Sequence, residues 1–110
     1  MTVITAALVM SCSHNPSLHI TEQLYFGTIT GYAFDEHRLY LREGDTLEVI
    51  LSEPKLDVII FTPINIVLSN DEPLQISTTD EYILRVLMPR ALARAGYELN
   101  YNLKVQIVSE

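Results

Sequence analysis

Apolar and polar residues alternate strictly through residues 98–107 of the chain. The apolar positions are Leu99, Tyr101, Leu103, Val105 and Ile107, and the polar positions between them are Glu98, Asn100, Asn102, Lys104 and Gln106. A period of two is typical of an antiparallel strand that buries one face. We therefore predict a strand whose apolar residues face the core, with Leu84 and Val86 of a preceding strand at 81–88 as their companions.

Residues 89–96, between these two strands, do not alternate. Pro89 suits the first position of a helical turn, the alanines that follow favour helix, and Gly96 can end it in a left-handed conformation. Eight residues are more than the two to five that a hairpin usually needs. We interpret the two strands as a closing pair that carries a short helical or loop insert.

The insert contains two arginines, Arg90 and Arg94. At helical spacing they share a face, where like charges repel each other by a few tenths of a kcal/mol. Such crowding favours a partner with negative charge. The alternative is a pair of solvated arginines on an ordinary surface turn.

Further strand patterns, separated by turn residues, occur from residue 18 onward. They lie at 18–26, 27–31, 37–41, 46–51, 56–61, 64–68 and 74–77. The segment 56–61 is almost continuously apolar, which predicts a central strand covered on both sides. The spacing predicts an all-β fold, an antiparallel β-sandwich of seven or eight short strands. Residues 18–110 form a single domain in this interpretation.

The charge of the chain narrows the choice of partners. The formal net charge is −7, which argues against nucleic acid and anionic membranes because both require a basic surface. A basic protein is a better match. Acidic residues dominate 53–81, whereas 85–104 carries three arginines and one lysine against one glutamate. The insert is therefore a basic spot on an acidic molecule.

Cys12 is the single cysteine of the chain, so an intrachain disulfide and a cysteine-based zinc site are excluded. The apolar run 3–10 is too short to span a bilayer, which takes ~20 residues, but it fits the core of a secretory signal. With Ser11 before Cys12 it resembles a bacterial lipoprotein cleavage box, although no basic residue follows Met1. We expect a signal segment at 1–12, lipid attachment at Cys12 and a linker at 13–17. The alternative is a first strand with a buried cysteine.

The sequence contains no recognisable catalytic arrangement. A phosphate-binding loop and a nucleophile elbow are missing, and the three histidines (His14, His19, His37) lack metal-ligand spacing. Asp35 and Glu36 are adjacent, so in a strand they point to opposite faces. A calcium site formed by these two residues with Asp45 is the alternative. We predict a protein that is not an enzyme, with no catalytic residue, no metal and no cofactor.

Two segments resemble a known family. FGTITGYAFDEHRLYLREGDTLEVIL (26–51) resembles the opening of bacterial pre-peptidase C-terminal-type β-sandwich domains. YILRVLMPRALARAGYELNYNLKVQIV (82–108) is similar to the closing segment of the periplasmic inhibitors of i-type and g-type lysozyme, which share this sandwich. The chain departs from that pattern in Pro89 after Met88, in Ala95 where a second arginine is common, and in His37 where a strand tyrosine is common.

The resemblance implies a lysozyme inhibitor of the periplasm or outer envelope, lipid-anchored if Cys12 is modified. Its partner would be a lysozyme, a basic protein, and Arg90 and Arg94 would enter the active cleft. By the same resemblance Met88, Leu92 and His37 are candidate partner-binding residues. The alternative function is a non-catalytic envelope sandwich that binds a glycan or protein ligand. A third is a calcium-stabilised adhesion module.

Overall fold

Eight strands and one short helix make up residues 18–109, the part of the chain that this computed structural model describes. The elements in chain order are β1 (His19–Thr30), β2 (Phe34–Leu41), β3 (Thr46–Leu51), β4 (Asp57–Thr62), β5 (Ile66–Leu68), β6 (Leu74–Gln75), β7 (Asp80–Leu87), α1 (Arg90–Arg94) and β8 (Glu98–Ser109). The predicted signal segment 1–12 with Cys12, and the linker 13–17, lie outside the described residues. No helix within 18–109 is long and apolar enough to cross a membrane.

The strands form two antiparallel sheets of four strands each. Sheet A has the order β1-β8-β3-β6, and sheet B has the order β2-β7-β4-β5. The predicted β-sandwich is therefore confirmed. The chain crosses repeatedly from one sheet to the other, and only β4 and β5 follow each other within a sheet.

The core lies between the inner faces of the two sheets. Sheet A contributes Tyr101, Leu103, Val105 and Ile107 from β8, and sheet B contributes Leu84 and Val86 from β7, all of them buried. Leu99 is half-buried and packs against the same core. The inner faces predicted from the alternation in β7 and β8 are confirmed.

The pairing expected for these two strands is wrong. β8 pairs with β1 and β3, whereas β7 pairs with β2 and β4 in the opposite sheet. The connection between them therefore bridges the two sheets, which explains why it is longer than a hairpin loop.

Two other expectations also differ from the structure. The segments 18–26 and 27–31 form one continuous strand, β1, because Gly27 pairs with Tyr101 inside the ladder and does not begin a turn. The strand predicted at 56–61 is internal to its sheet but is not covered on both sides. Its outward residues Ile59 and Phe61 are half-buried and exposed, respectively.

Candidate functional site

The candidate site is the connection between β7 and β8, residues 89–96, which we call the arginine loop. Its helix α1 is only five residues long, so it depends on the core for its stability. Met88, immediately before the loop, is buried with 4% of its surface exposed, and Ala93 is buried on the inner side of the helix. Leu92 is partly buried against the core. Three apolar side chains thus hold the loop against the sandwich.

Backbone hydrogen bonds fix both ends of α1. At the start, the Ala93 N–H donates to the Pro89 carbonyl at 2.9 Å. At the end, the Gly96 N–H donates to the Ala93 carbonyl at 3.0 Å. Gly96 has φ +78°, the left-handed conformation in which glycine carries no steric penalty. The helical insert predicted at 89–96, with glycine at its end, is confirmed.

Arg90 and Arg94, the first and last residues of α1, are both exposed. The ion pairs found among residues 18–109 are Arg38–Glu81, Arg85–Glu36 and Lys104–Glu22. Neither loop arginine belongs to one of them, so within the described residues both guanidinium groups are available to a partner.

The turn between β1 and β2 packs beside the arginine loop. The Gly31 N–H donates to the Tyr97 carbonyl at 3.0 Å. A Cβ on Gly31 would lie 3.7 Å from the Ala93 carbonyl oxygen, which shows how closely the two segments approach. Tyr32 of this turn is 67% exposed and Tyr97 is 45% exposed. Two exposed tyrosines therefore lie on the segments that adjoin the arginine loop at this end of the sandwich.

His37 belongs to a second cluster, between the edge strands β1 and β2. Its ring stacks on Tyr25 with centroids 4.1 Å apart, and its Nε2 lies 3.1 Å from the Tyr101 hydroxyl oxygen. That hydroxyl donates to Asp35 Oδ2 at 2.7 Å, so the His37 N–H is the donor in the bond to Tyr101. Gly27 makes room for this arrangement, because a Cβ there would lie 2.5 Å from Asp35 Oδ2 and 2.8 Å from Tyr101 Cε2.

Burial changes the pKa values of the titratable groups in this cluster. It lowers the pKa of His37, while the charge of Asp35 opposes that change. It raises the pKa of Tyr101, and the hydrogen bond to Asp35 and its negative charge raise this pKa further. It also raises the pKa of Tyr25. The histidine is therefore neutral and the tyrosines are protonated near neutral pH. In these states the contacts of the cluster join β1, β2 and β8.

The acidic residues considered as a calcium site have separate partners. Asp35 accepts from Tyr101, Glu36 pairs with Arg85, and Asp45 accepts from the backbone N–H of Arg42. Within 18–109, no three His, Cys, Asp or Glu residues come together as a metal site. Asp35 and Glu36 do point to opposite faces of β2, as their adjacency predicts.

The candidate partner-binding residues predicted from the sequence differ in their exposure to solvent. Arg90 and Arg94 are exposed, Leu92 supports them from the inner side, and Met88 is buried in the core. His37 is half-buried and its polar contact is internal.

Sequence reasoning missed Tyr32, Tyr97 and the bond between Tyr101 and Asp35. The tyrosines at the arginine loop carried no periodic signal. For the internal bond, the signal that could have found it is Gly27, since an isolated glycine in a strand often marks a close approach.

Comparison with known proteins places this arrangement among related molecules. No family model matches the chain. The inhibitor of g-type lysozyme of Escherichia coli (strain K12) is 30% identical over 93 residues, which cover 76% of this chain and 70% of that protein.

Solved structures give the same result. The periplasmic inhibitor of g-type lysozyme from Salmonella Typhimurium superposes with a TM-score of 0.72 at 25% identity, covering 78% of this chain and 90% of that one. A mutant of the Escherichia coli inhibitor gives 0.71 at 27% identity, covering 78% and 86%. The Aeromonas hydrophila inhibitor gives 0.69 at 22% identity, covering 86% and 90%, and this last likeness is one of fold.

Proposed function

Because the chain belongs to the family of inhibitors of g-type lysozyme, we propose that it inhibits a g-type lysozyme by inserting the arginine loop into the active cleft. The observation that carries the mechanism is the exposure of Arg90 and Arg94 on a helix that the core holds in place. Lysozymes act through carboxyl groups in a saccharide-binding cleft. A guanidinium can pair with such a group through charge-assisted hydrogen bonds.

The anchoring of the loop supports this mechanism. A flexible loop loses ~0.5–1.5 kcal/mol for each long side chain that becomes fixed on binding. Met88, Leu92 and Ala93 fix the backbone of the loop before the partner arrives, so binding has to order the arginine side chains but not the backbone that carries them. Tyr32 and Tyr97 supply exposed aromatic surface beside the arginines, and tyrosine and arginine are enriched in the energetic centres of interfaces.

The acidic character of the molecule supports the choice of partner. Its net charge of −7 attracts a basic protein over a distance. The two arginines make the surface charge of the loop positive, which matches the negative carboxyl groups of the cleft. The periplasm is the proposed location, the one named for the solved relatives. Export through residues 1–12 and lipid attachment at Cys12 are further proposals that rest on sequence.

The test is inhibition of bacterial cell-wall lysis, measured by turbidity against g-, i- and c-type lysozymes, with binding kinetics for loop variants. We expect inhibition of the g-type enzyme. Arg90→Ala or Arg94→Ala should weaken binding by roughly 2–5 kcal/mol if the residue meets a desolvated carboxylate, mostly through faster dissociation.

Arg42→Ala is the matched control, because this exposed arginine follows β2 at the end of the strand remote from Phe34 and the turn that packs on the arginine loop. Its binding should match that of the wild type. If the Arg90→Ala/Arg94→Ala double variant inhibits normally, the loop mechanism is wrong. If the wild type inhibits no lysozyme, a glycan- or protein-binding envelope module becomes the better interpretation.

A further inference from the structure

An arginine lies between two phenylalanine rings on the outer face of sheet B. The Cζ atom of Arg85, on β7, is 4.0 Å from the ring centroid of Phe34 on β2 and 3.7 Å from that of Phe61 on β4. Cation–π attraction favours both contacts. We call these three residues the aromatic stack. It joins three neighbouring strands of one sheet.

Glu36 fixes the central arginine of the aromatic stack. Its Oε2 accepts from Arg85 Nη2 at 2.6 Å and from Nε at 3.1 Å. The charge of Arg85 is therefore largely satisfied by this carboxylate, and both rings pack against its guanidinium group. The rings themselves remain 47% exposed at Phe34 and 42% exposed at Phe61. The aromatic stack is therefore an outward-facing apolar surface whose central side chain is fixed by Glu36.

A β-bulge sets the position of Phe61. The register between β4 and β7 shifts between Ile60 and Thr62, so Phe61 lies at the irregularity. Bulges re-aim side chains and occur often beside functional sites. The strand predicted at 56–61 is not covered on its outer face, and Phe61 shows this because its ring faces outward and contacts Arg85.

The aromatic stack is continuous with the arginine loop. Phe34 pairs with Leu87, the last residue of β7, and the loop begins two residues further on. On the other side, Phe34 begins β2 directly after the turn that packs on the loop through Gly31. Two of the three strands that carry the stack, β2 and β7, therefore have an end at the proposed binding end of the molecule.

The charges around the aromatic stack favour a basic partner. Glu36 and Arg85 offset each other's charge within the stack, and the exposed Asp57, which pairs with Leu87 at the loop end of β4, adds a negative charge on the same outer face of the sheet. Resting on the proposed function, we infer that the aromatic stack is a second contact surface for the same lysozyme and packs against the face beside its active cleft. Rigid aromatic groups are effective there because little side-chain freedom is lost on binding.

The experiment compares Phe34→Ala and Phe61→Ala with Phe26→Ala in binding to g-type lysozyme. Phe26 is the matched control, since it is a 69% exposed phenylalanine on the other sheet. We expect each stack variant to raise Kd by at least about tenfold, whereas Phe26→Ala leaves it unchanged. Thermal unfolding of each variant shows whether it is folded.

Hydroxyl-radical footprinting of the wild-type complex gives a second readout that needs no variant. Protection of Phe34 and Phe61 with continued oxidation of Phe26 supports the inference. If a variant does not fold, its Kd is not used and the footprinting of the wild type decides the inference. Unprotected rings with unchanged Kd overturn the inference, and loss of affinity in the arginine-loop double variant then leaves the loop mechanism standing. If the wild type does not bind the enzyme, both proposals are wrong.

Discussion

Burial favours the neutral form of His37, and this has a consequence for stability. Its folded pKa is lowered by burial, so the unfolded chain, in which a histidine has a pKa of about 6.5, takes up a proton at higher pH. The stabilising contribution of the neutral ring is present above about pH 6.5 and is lost as the pH falls through the folded pKa. Asp35, Tyr25 and Tyr101 are the titratable groups that face it.

We therefore predict that the free energy of unfolding falls as the pH drops from about 6.5 through the folded pKa of His37, and that His37→Gln reduces this fall. Glutamine can keep a hydrogen bond to Tyr101 without titrating. Urea denaturation at several pH values measures the slope. His19→Gln is the control, because His19 is an exposed strand histidine. Equal slopes for the wild type and His37→Gln would contradict the prediction.

Strand β8 shows that alternation predicts which side chains are buried and which are exposed. Leu103 is buried between the sheets, and its neighbour Asn102 is exposed. Leu103→Ala should lower the free energy of unfolding by roughly 2–5 kcal/mol, the cost of truncating a buried leucine. Asn102→Ala should change it by no more than about 0.5 kcal/mol, because its contacts with Ser52 use backbone atoms that alanine keeps. Similar losses in chemical denaturation would mean that the faces of β8 are misassigned.

The same elements show where sequence reasoning stops. Alternation assigns a side chain to the inner or outer face, and it did so correctly in β7 and β8. It contains no information about which strand lies alongside, so the closing pair was placed in one sheet although its members lie in two. The sequence predicts a boundary between two strands at Gly27, because the reason for a glycine there, the approach of Tyr101 and Asp35, involves residues distant in sequence.

For the candidate site, the helix and its two arginines were predictable because proline, alanine and glycine are local signals. The aromatic stack was not, since it is assembled from three strands, and an exposed Phe61 looks identical to a buried one in a run of apolar residues. The resemblance to lysozyme inhibitors, which rested on two segments, is confirmed by the curated relative.

For the whole molecule, we predict that its charge speeds association with a basic lysozyme and that salt removes this effect. Asp71 and Glu72 are exposed in one turn, and Asp71 has φ +63°, a conformation that asparagine tolerates. Asp71→Asn/Glu72→Gln should lower the association rate constant at low ionic strength and leave dissociation almost unchanged. At about 1 M salt, where charges are screened within about 3 Å, the difference should vanish. Stopped-flow or surface-based kinetics measure both rates, and a salt-independent association rate would count against steering.

The pairing of β1 with β8 also bears on how the molecule folds. These strands are the first and last of the described elements, and they lie side by side over twelve residue pairs, from His19 with Ser109 to Thr30 with Glu98. Such a ladder must close a loop of most of the domain, which makes folding slow in proteins dominated by non-local contacts. Sheet A cannot be completed on the ribosome before β8 has emerged. Folding of the complete domain therefore waits for the synthesis of β8, and until then the strands of sheet A lack the central partner that would keep them from being threaded to another compartment.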